Sequence, residues 1–191
     1  YAGADALTKR AKQQGFPARS VFKLQEIDQR VKLLRRGQRV LDLGAAPGSW
    51  SLYAAERVGA EGRVLAVDLK PLEQAFPPNV TVIEGDALAL SDGGHQGSAP
   101  YDLVLGDMAP STSGSKVRDQ ALSFELFMRA VEVALALGKP GSSFVGKLFM
   151  SEDFQAARKA LTDRYREVKS LRPSGTPQQS SEVFLVGLGL G

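Results

Sequence analysis

The sequence predicts one α/β domain built on a doubly wound, mostly parallel sheet. Three observations predict it. An apolar run, Val40-Leu41-Asp42-Leu43, stops at a small-residue turn, Gly44-Ala45-Ala46-Pro47-Gly48, and a helical pattern follows at once. Twenty residues past Gly48 a second apolar run closes on an acid, Val64-Leu65-Ala66-Val67-Asp68. Beyond it, short β-rich runs keep alternating with helical patterns, the order that sets parallel strands side by side with helices on both faces.

The elements follow in order. Residues 1–36 form a basic, helical N-terminal segment, and within 18–35 Leu24, Ile27, Val31 and Leu34 recur at helical spacing, so this stretch is an amphipathic helix docked on the core. Arg39–Leu43 is a strand and Ser49–Val58 a helix. Strands follow at 64–69, Val80–Glu84 and Tyr101–Gly106, then a helix from about Asp119 to Leu137. A strand at 142–148, a helix at 152–165 and strands at 167–171 and 182–188 complete the series. No helix separates the last two strands, so they pair antiparallel at one edge. The result is a Rossmann-like sheet of seven strands with an antiparallel edge strand. Residues 91–100 and 110–116 are rich in turn formers. The first stretch lies between elements, and its His95 is read as a solvated surface residue with no role. The second follows directly on a strand, at the edge where ligands gather in open α/β sheets.

Composition narrows the class. A chain of 191 residues with 43% hydrophobic content suits a single well-buried domain over 1–191. Cysteine is absent and histidine occurs once, so disulfides, thiolate metal sites and His clusters are excluded and no metal is expected. No apolar run approaches the roughly 20 residues of a membrane helix and no signal segment is visible, which reads as a cytoplasmic protein without a membrane partner. The net charge of +3 is unevenly spread. Residues 1–39 hold ten Lys and Arg against Asp5, Glu26 and Asp28, a net of +7, which leaves −4 for the rest. A basic segment on a nearly neutral body points to a polyanion, because Lys and Arg contacts with phosphates release counterions.

The opening turn selects the ligand. Backbone N–H groups at a helix start can approach a ligand closely, and an acid ending the next strand accepts from ribose hydroxyls. The turn has only two glycines, with Pro47 between them, so it makes a poor pyrophosphate cradle. A cofactor with sugar and base but no phosphates, such as S-adenosylmethionine, fits better. Asp68 would take the ribose hydroxyls and Asp86 the adenine edge. Gly44, Gly48 and Trp50 would line the methionine and ribose side, although Trp50, the one tryptophan, is equally suited to the core. Asp107 ends the fourth strand at the same edge. Lys147 interrupts the apolar strand Phe144-Val145-Gly146-Lys147-Leu148, where a lysine is costly unless paired or at the open end. Glu182 opens the antiparallel strand, so its end of that strand lies at the same edge, and Lys147, Asp107 and Glu182 converge.

These residues identify a resemblance to the FtsJ/RrmJ-type RNA ribose 2′-O-methyltransferases over nearly the whole chain. Ala18-Arg19-Ser20-Val21-Phe22-Lys23-Leu24 resembles that family's basic helix, Leu41 to Ser51 its cofactor turn, and Gly106-Asp107-Met108-Ala109-Pro110 its Asp motif. Phe144-Val145-Gly146-Lys147 resembles its second Lys strand, and Ser180-Ser181-Glu182-Val183-Phe184 its Glu strand. The resemblance implies a class I methyltransferase fold, S-adenosylmethionine as cofactor, and a catalytic tetrad of Lys23, Asp107, Lys147 and Glu182. It implies a monomer acting on RNA, with ribosomal RNA or the large ribosomal subunit as partner and a uridine of 23S-type RNA as target. Arg19, Arg30 and Lys32 are then the candidate phosphate contacts. Lys147 is cast as the general base, with an orienting and oxyanion-stabilising role as the alternative. Two departures stand out: Ser49 occupies a position where many members have glycine, and residues 172–180 carry little basic character. Three other readings remain: a transfer RNA anticodon-loop enzyme, a non-catalytic ribosome-assembly factor, and a nicotinamide oxidoreductase, the last disfavoured by Pro47 and the missing third glycine.

Overall fold

The computed structural model describes residues 2–92, 99–174, 176 and 180–191. His95 lies outside the described residues, as do most of the loop containing it and positions 175 and 177–179. The first helix, α1 (Ala2–Gln13), and the second, α2 (Val21–Val31), make up the basic segment. Then come β1 (Arg39–Leu43), α3 (Ser49–Val58), β2 (Arg63–Asp68) and β3 (Val80–Glu84), a 3₁₀ turn at Ala87–Asp92, and β4 (Tyr101–Gly106). The chain continues through α4 (Lys116–Leu137), β5 (Gly138–Phe149), α5 (Phe154–Thr162), β6 (Tyr165–Leu171) and β7 (Glu182–Leu190).

The seven strands form one sheet in the order β3-β2-β1-β4-β5-β7-β6. β3, β2, β1, β4 and β5 pair in parallel, and β7 runs antiparallel between β5 and β6. The expected antiparallel pair is therefore present, with β6 on the outside and β7 one strand in. Alternate residues serve opposite faces. Leu41, Leu43, Val104, Phe144 and Leu148 pack with Phe127, Ala130 and Val131 of α4 and with Leu161 of α5. Val40, Leu103, Leu105, Val145, Phe184 and Val186 pack with Leu24 and Ile27 of α2 and with Trp50, Ala54 and Val58 of α3. Both faces are covered, which is why the strands read as continuous apolar runs.

Several boundaries differ from the periodicity. α2 ends at Val31 because Lys32 turns left-handed (φ 51°), the one non-glycine at positive φ among the described residues. Leu34 keeps its apolar role, at 3% exposure, from outside the helix. α5 stops at Thr162 and Tyr165 already belongs to β6. β5 starts at Gly138, directly after α4, with an irregular register between Tyr101 and Leu103 of its neighbour. α4 begins three residues early, where the Ser115 hydroxyl accepts from the Arg118 amide. Gly146 has a packing reason of its own. A Cβ there would lie 2.7 Å from the Phe144 ring and 2.8 Å from that of Phe127, so only glycine lets these two rings meet edge to face beneath Lys147.

Candidate active site

The parallel strands β1, β2, β4 and β5 end at one edge, and β7 starts there. Gly106 is level with Gly146, and Glu182 with Phe149, so Asp107 falls beside Lys147 and Glu182 falls two residue pairs beyond Lys147. Lys147 Nζ lies 3.0 Å from Asp107 Oδ1, with side-chain exposures of 12% and 18%. That oxygen is buried and takes no aligned hydrogen bond among the described residues, so the Lys147 ammonium is its charged partner. From α2, the Lys23 ammonium reaches over to pair with Glu182 and lies 6.0 Å above the Phe184 ring. The four groups stand as two ion pairs, Lys147 with Asp107 and Lys23 with Glu182, whose charges sum to zero.

Next to them is a cleft of about 310 Å³ lined by Gly44, Ala46, Asp68, Leu69, Lys70, Asp86, Leu88, Asp107 and Met108, among others. Gly44 (φ 69°) and Gly48 (φ 114°) shape its turn. A Cβ at Gly44 would sit 2.5 Å from Met108 Cγ, and one at Gly48 2.7 Å from Phe76 Cζ. Asp68 accepts from the Ala46 amide at 2.9 Å and the Lys70 amide at 2.8 Å, which fixes its carboxylate while each oxygen retains a lone pair for a hydroxyl. Asp86 is a turn former as well, accepting from the Leu88 amide at 2.9 Å to open the 3₁₀ turn. A sugar and an adenine with a cationic tail fit this set: acids for the ribose, apolar Leu69, Leu88 and Met108 for the base, and negative charge for a sulfonium. Replacing Gly48 with alanine is expected to weaken S-adenosylmethionine binding about tenfold, since forcing a side chain into a positive-φ turn costs on the order of 1–3 kcal/mol. Isothermal titration checks it, and unchanged affinity would remove the turn from the site.

Asp42, one of the strand-end acids of the sequence, has surroundings that motif reading does not show. It is 1% exposed, faces α3, and accepts from the Ser51 hydroxyl at 2.7 Å. Burial pushes its carboxyl up to about 7, against the lowering effect of Ser51, with the nearby charges of Asp107 and Asp68 adding to the rise. Asp42 borders a narrow cleft together with Gly44, Ser49, Trp50 and Asp107. The Trp50 indole itself belongs to the core: it is 3% exposed, stacks at 5.7 Å on Phe184, and donates from Nε1 to the Ser20 carbonyl at 2.9 Å. Ser49 has no positive φ, so glycine is not needed there. Arg19, Arg30 and Lys32 are exposed on the basic segment, and Arg30 lies 3.5 Å from Glu26. A larger groove, of about 650 Å³, lies at the opposite end of the sheet between α3 and residues 77–79. Asn79 donates there to the Ala55 and Gly59 carbonyls and Arg63 to those of Ala60 and Gly62, and none of the strand-end acids Asp68, Asp86 and Asp107 is among its lining residues.

With this geometry in place, comparison with known proteins is decisive. The profile of the FtsJ-like methyltransferase family matches residues 16–190. The chain belongs to that family. Within it, the chain is 65% identical over 188 residues to the ribosomal RNA large subunit methyltransferase E of Sorangium cellulosum, covering 98% of this chain and 89% of the relative. It is 48% identical over 183 residues to the protein of the same name from Oleidesulfovibrio alaskensis, covering 94% and 88%. A provisionally named ribosomal RNA methyltransferase from Plasmodium falciparum shares the fold, with a TM-score of 0.78, 22% identity, and coverage of 91% and 97%. The FtsJ-like resemblance read from the motifs and the class I methyltransferase architecture are both borne out. The lining residues to which the motifs gave no role are apolar: Leu69, at 70% exposure, Leu88 and Met108. The signal for Leu69 was its place, an aliphatic residue directly after the strand-end acid.

Proposed function

We propose that this protein is an S-adenosylmethionine-dependent methyltransferase that modifies a ribose 2′-hydroxyl of large-subunit ribosomal RNA, at a uridine. The observation that carries the reading is Asp107, which both borders the cofactor cleft and pairs with Lys147. The names of the two relatives support the choice of RNA. Bound in the cleft, the cofactor supplies an electrophilic methyl on a sulfonium. Asp68 would hold the ribose and Asp86 the adenine edge, while Gly44 and Gly48 would leave room for the remainder. Lys147 would hold the target hydroxyl toward the cofactor's methyl and, as the neutral amine, would take the hydroxyl proton; the bound cofactor would supply the methyl, its sulfur keeping the electron pair of the S–C bond. Asp107 anchors Lys147, and the Lys23–Glu182 pair flanks it. We expect a monomer working in the cytoplasm, where ribosomal subunits are found.

Labelled-methyl transfer to large subunits, free ribosomal RNA and transfer RNA tests this, with the modified nucleotide mapped. Label at one uridine ribose of large-subunit RNA is expected. Label in transfer RNA would move the protein to the anticodon-loop class, and S-adenosylmethionine binding without transfer would leave an assembly factor. Arg19, Arg30 and Lys32 are assigned to RNA phosphates. Changing all three to alanine is expected to reduce the salt dependence of RNA binding by about three units in the log–log slope. An unchanged slope would place the RNA elsewhere.

A further inference from the structure

α2 is tied down on two sides by different kinds of contact. One side reaches the start of β7 through Lys23 and Glu182, and Glu26 accepts from the Ser174 amide at 2.8 Å. The other side rests on α3 through Asp28. This carboxylate is 4% exposed, yet it has three partners: Oδ1 accepts from the Leu34 amide at 2.8 Å, and Oδ2 accepts from the Tyr53 hydroxyl at 2.8 Å and pairs with the Arg57 guanidinium at 3.3 Å. Burial, and then the hydrogen bond to Asp28, hold the Tyr53 phenol above its ordinary value, so it remains a donor throughout the working pH range. Mere burial of α2 needs no such group. Leu24 and Ile27 already supply an apolar stripe, and a carboxylate taken out of water is costly unless its partners are fixed. What directional contacts add, and apolar ones do not, is a fixed roll and height of the helix.

We infer that Asp28 is a positioning residue for methyl transfer, holding α2 on Tyr53 and Arg57 of α3 so that Lys23 meets Glu182 beside Lys147. The inference rests on the functional reading above. A helix surface lies about 6 Å from its axis, so a roll of about 20° moves a side-chain head by about 2 Å. Displacement of about 1 Å at a reacting centre can lower a rate about a hundredfold. α3 is also the helix that starts at the cofactor turn, where Ser49 Oγ accepts from the Ala18 amide at 2.9 Å and Trp50 bonds Ser20. The lysine and the cofactor turn are thereby referenced to one body.

Two measurements test this. In the first, the intact protein is treated with an amine-acylating reagent below its melting temperature, and modification of Lys23 and Lys147 is followed by mass spectrometry. Asp28→Asn is expected to raise the Lys23 labelling rate about fivefold and leave that of Lys147 unchanged, and Tyr53→Phe, which removes one contact, to raise it about twofold. In the second, single-turnover methyl transfer is measured in a double-mutant cycle. Asp28→Asn is expected to lower the rate about tenfold without altering S-adenosylmethionine affinity, and to have an effect below twofold once Lys23 is replaced by methionine. Equal losses in both backgrounds, or Lys23 labelling that does not change, would make Asp28 a stability residue only. If the wild-type protein transfers no methyl to RNA, the functional reading falls, and the labelling arm still decides the positioning of Lys23.

Discussion

Replacing Lys147 with alanine is expected to lower single-turnover methyl transfer about a thousandfold, within the range of about 10² to 10⁴ typical of a positioned acid–base group. Cofactor affinity should hardly change, because Lys147 is not among the residues lining the cleft. The arginine variant separates the two roles open to this residue. Arginine keeps the positive charge beside Asp107 but cannot surrender its proton under working conditions. If the hydroxyl proton leaves through Lys147, Lys147→Arg falls nearly as far as alanine, and its rate does not recover at high pH. An arginine variant retaining most of the rate would reduce Lys147 to an orienting charge and hand the proton to Asp107 or water.

The second large effect is on stability and comes from Asp42. Its carboxyl is raised from 3.8 to about 7, chiefly by burial. Because the folded value lies above the unfolded one, the stability it contributes is fully present below about pH 4 and is lost as the pH rises through about 7. At pH 8 the folded protein carries a cost of roughly 4 kcal/mol at this group, at about 1.36 kcal/mol per pH unit of displacement. Asp42→Asn retains an acceptor for Ser51 and removes the charge. Urea unfolding should show the variant more stable than the wild type at pH 8, with the gap shrinking as the pH falls toward 4. A gap that does not vary with pH would show that Asp42 does not titrate in this interval.

How far the site can be read from sequence depends on the kind of constraint. Asp107, Lys147 and Glu182 are visible because each is a polar residue near one end of an apolar strand, and parallel strands finish at the edge where the antiparallel strand starts. Which cation pairs with which anion is not visible, since it depends on the β5–β7 register and on how far Lys23 reaches from another layer. Asp42 hides for the opposite reason: its neighbours Leu41 and Leu43 are buried on one face, and nothing local says that position 42 faces Ser51 across the other. The end of α2 misleads the periodicity because Leu34 satisfies the helical spacing and the core alike, while the left-handed turn at Lys32 is what brings it there. Trp50 was ambiguous because large aromatics serve both core and ligand, and the Ser20 carbonyl decides for its indole.

The place of β7 between β5 and β6 bears on when the protein becomes competent during its own synthesis. The chain emerges in order, so β5 and β6 both leave the ribosome before the strand that joins them, and β6 has no other neighbour in the sheet. Five strands and the cofactor turn can assemble first, as a nascent domain does when local contacts suffice. The tetrad is complete only when Glu182, the first residue of β7, has been delivered. Until then Lys23 lacks the carboxylate it pairs with in the folded protein.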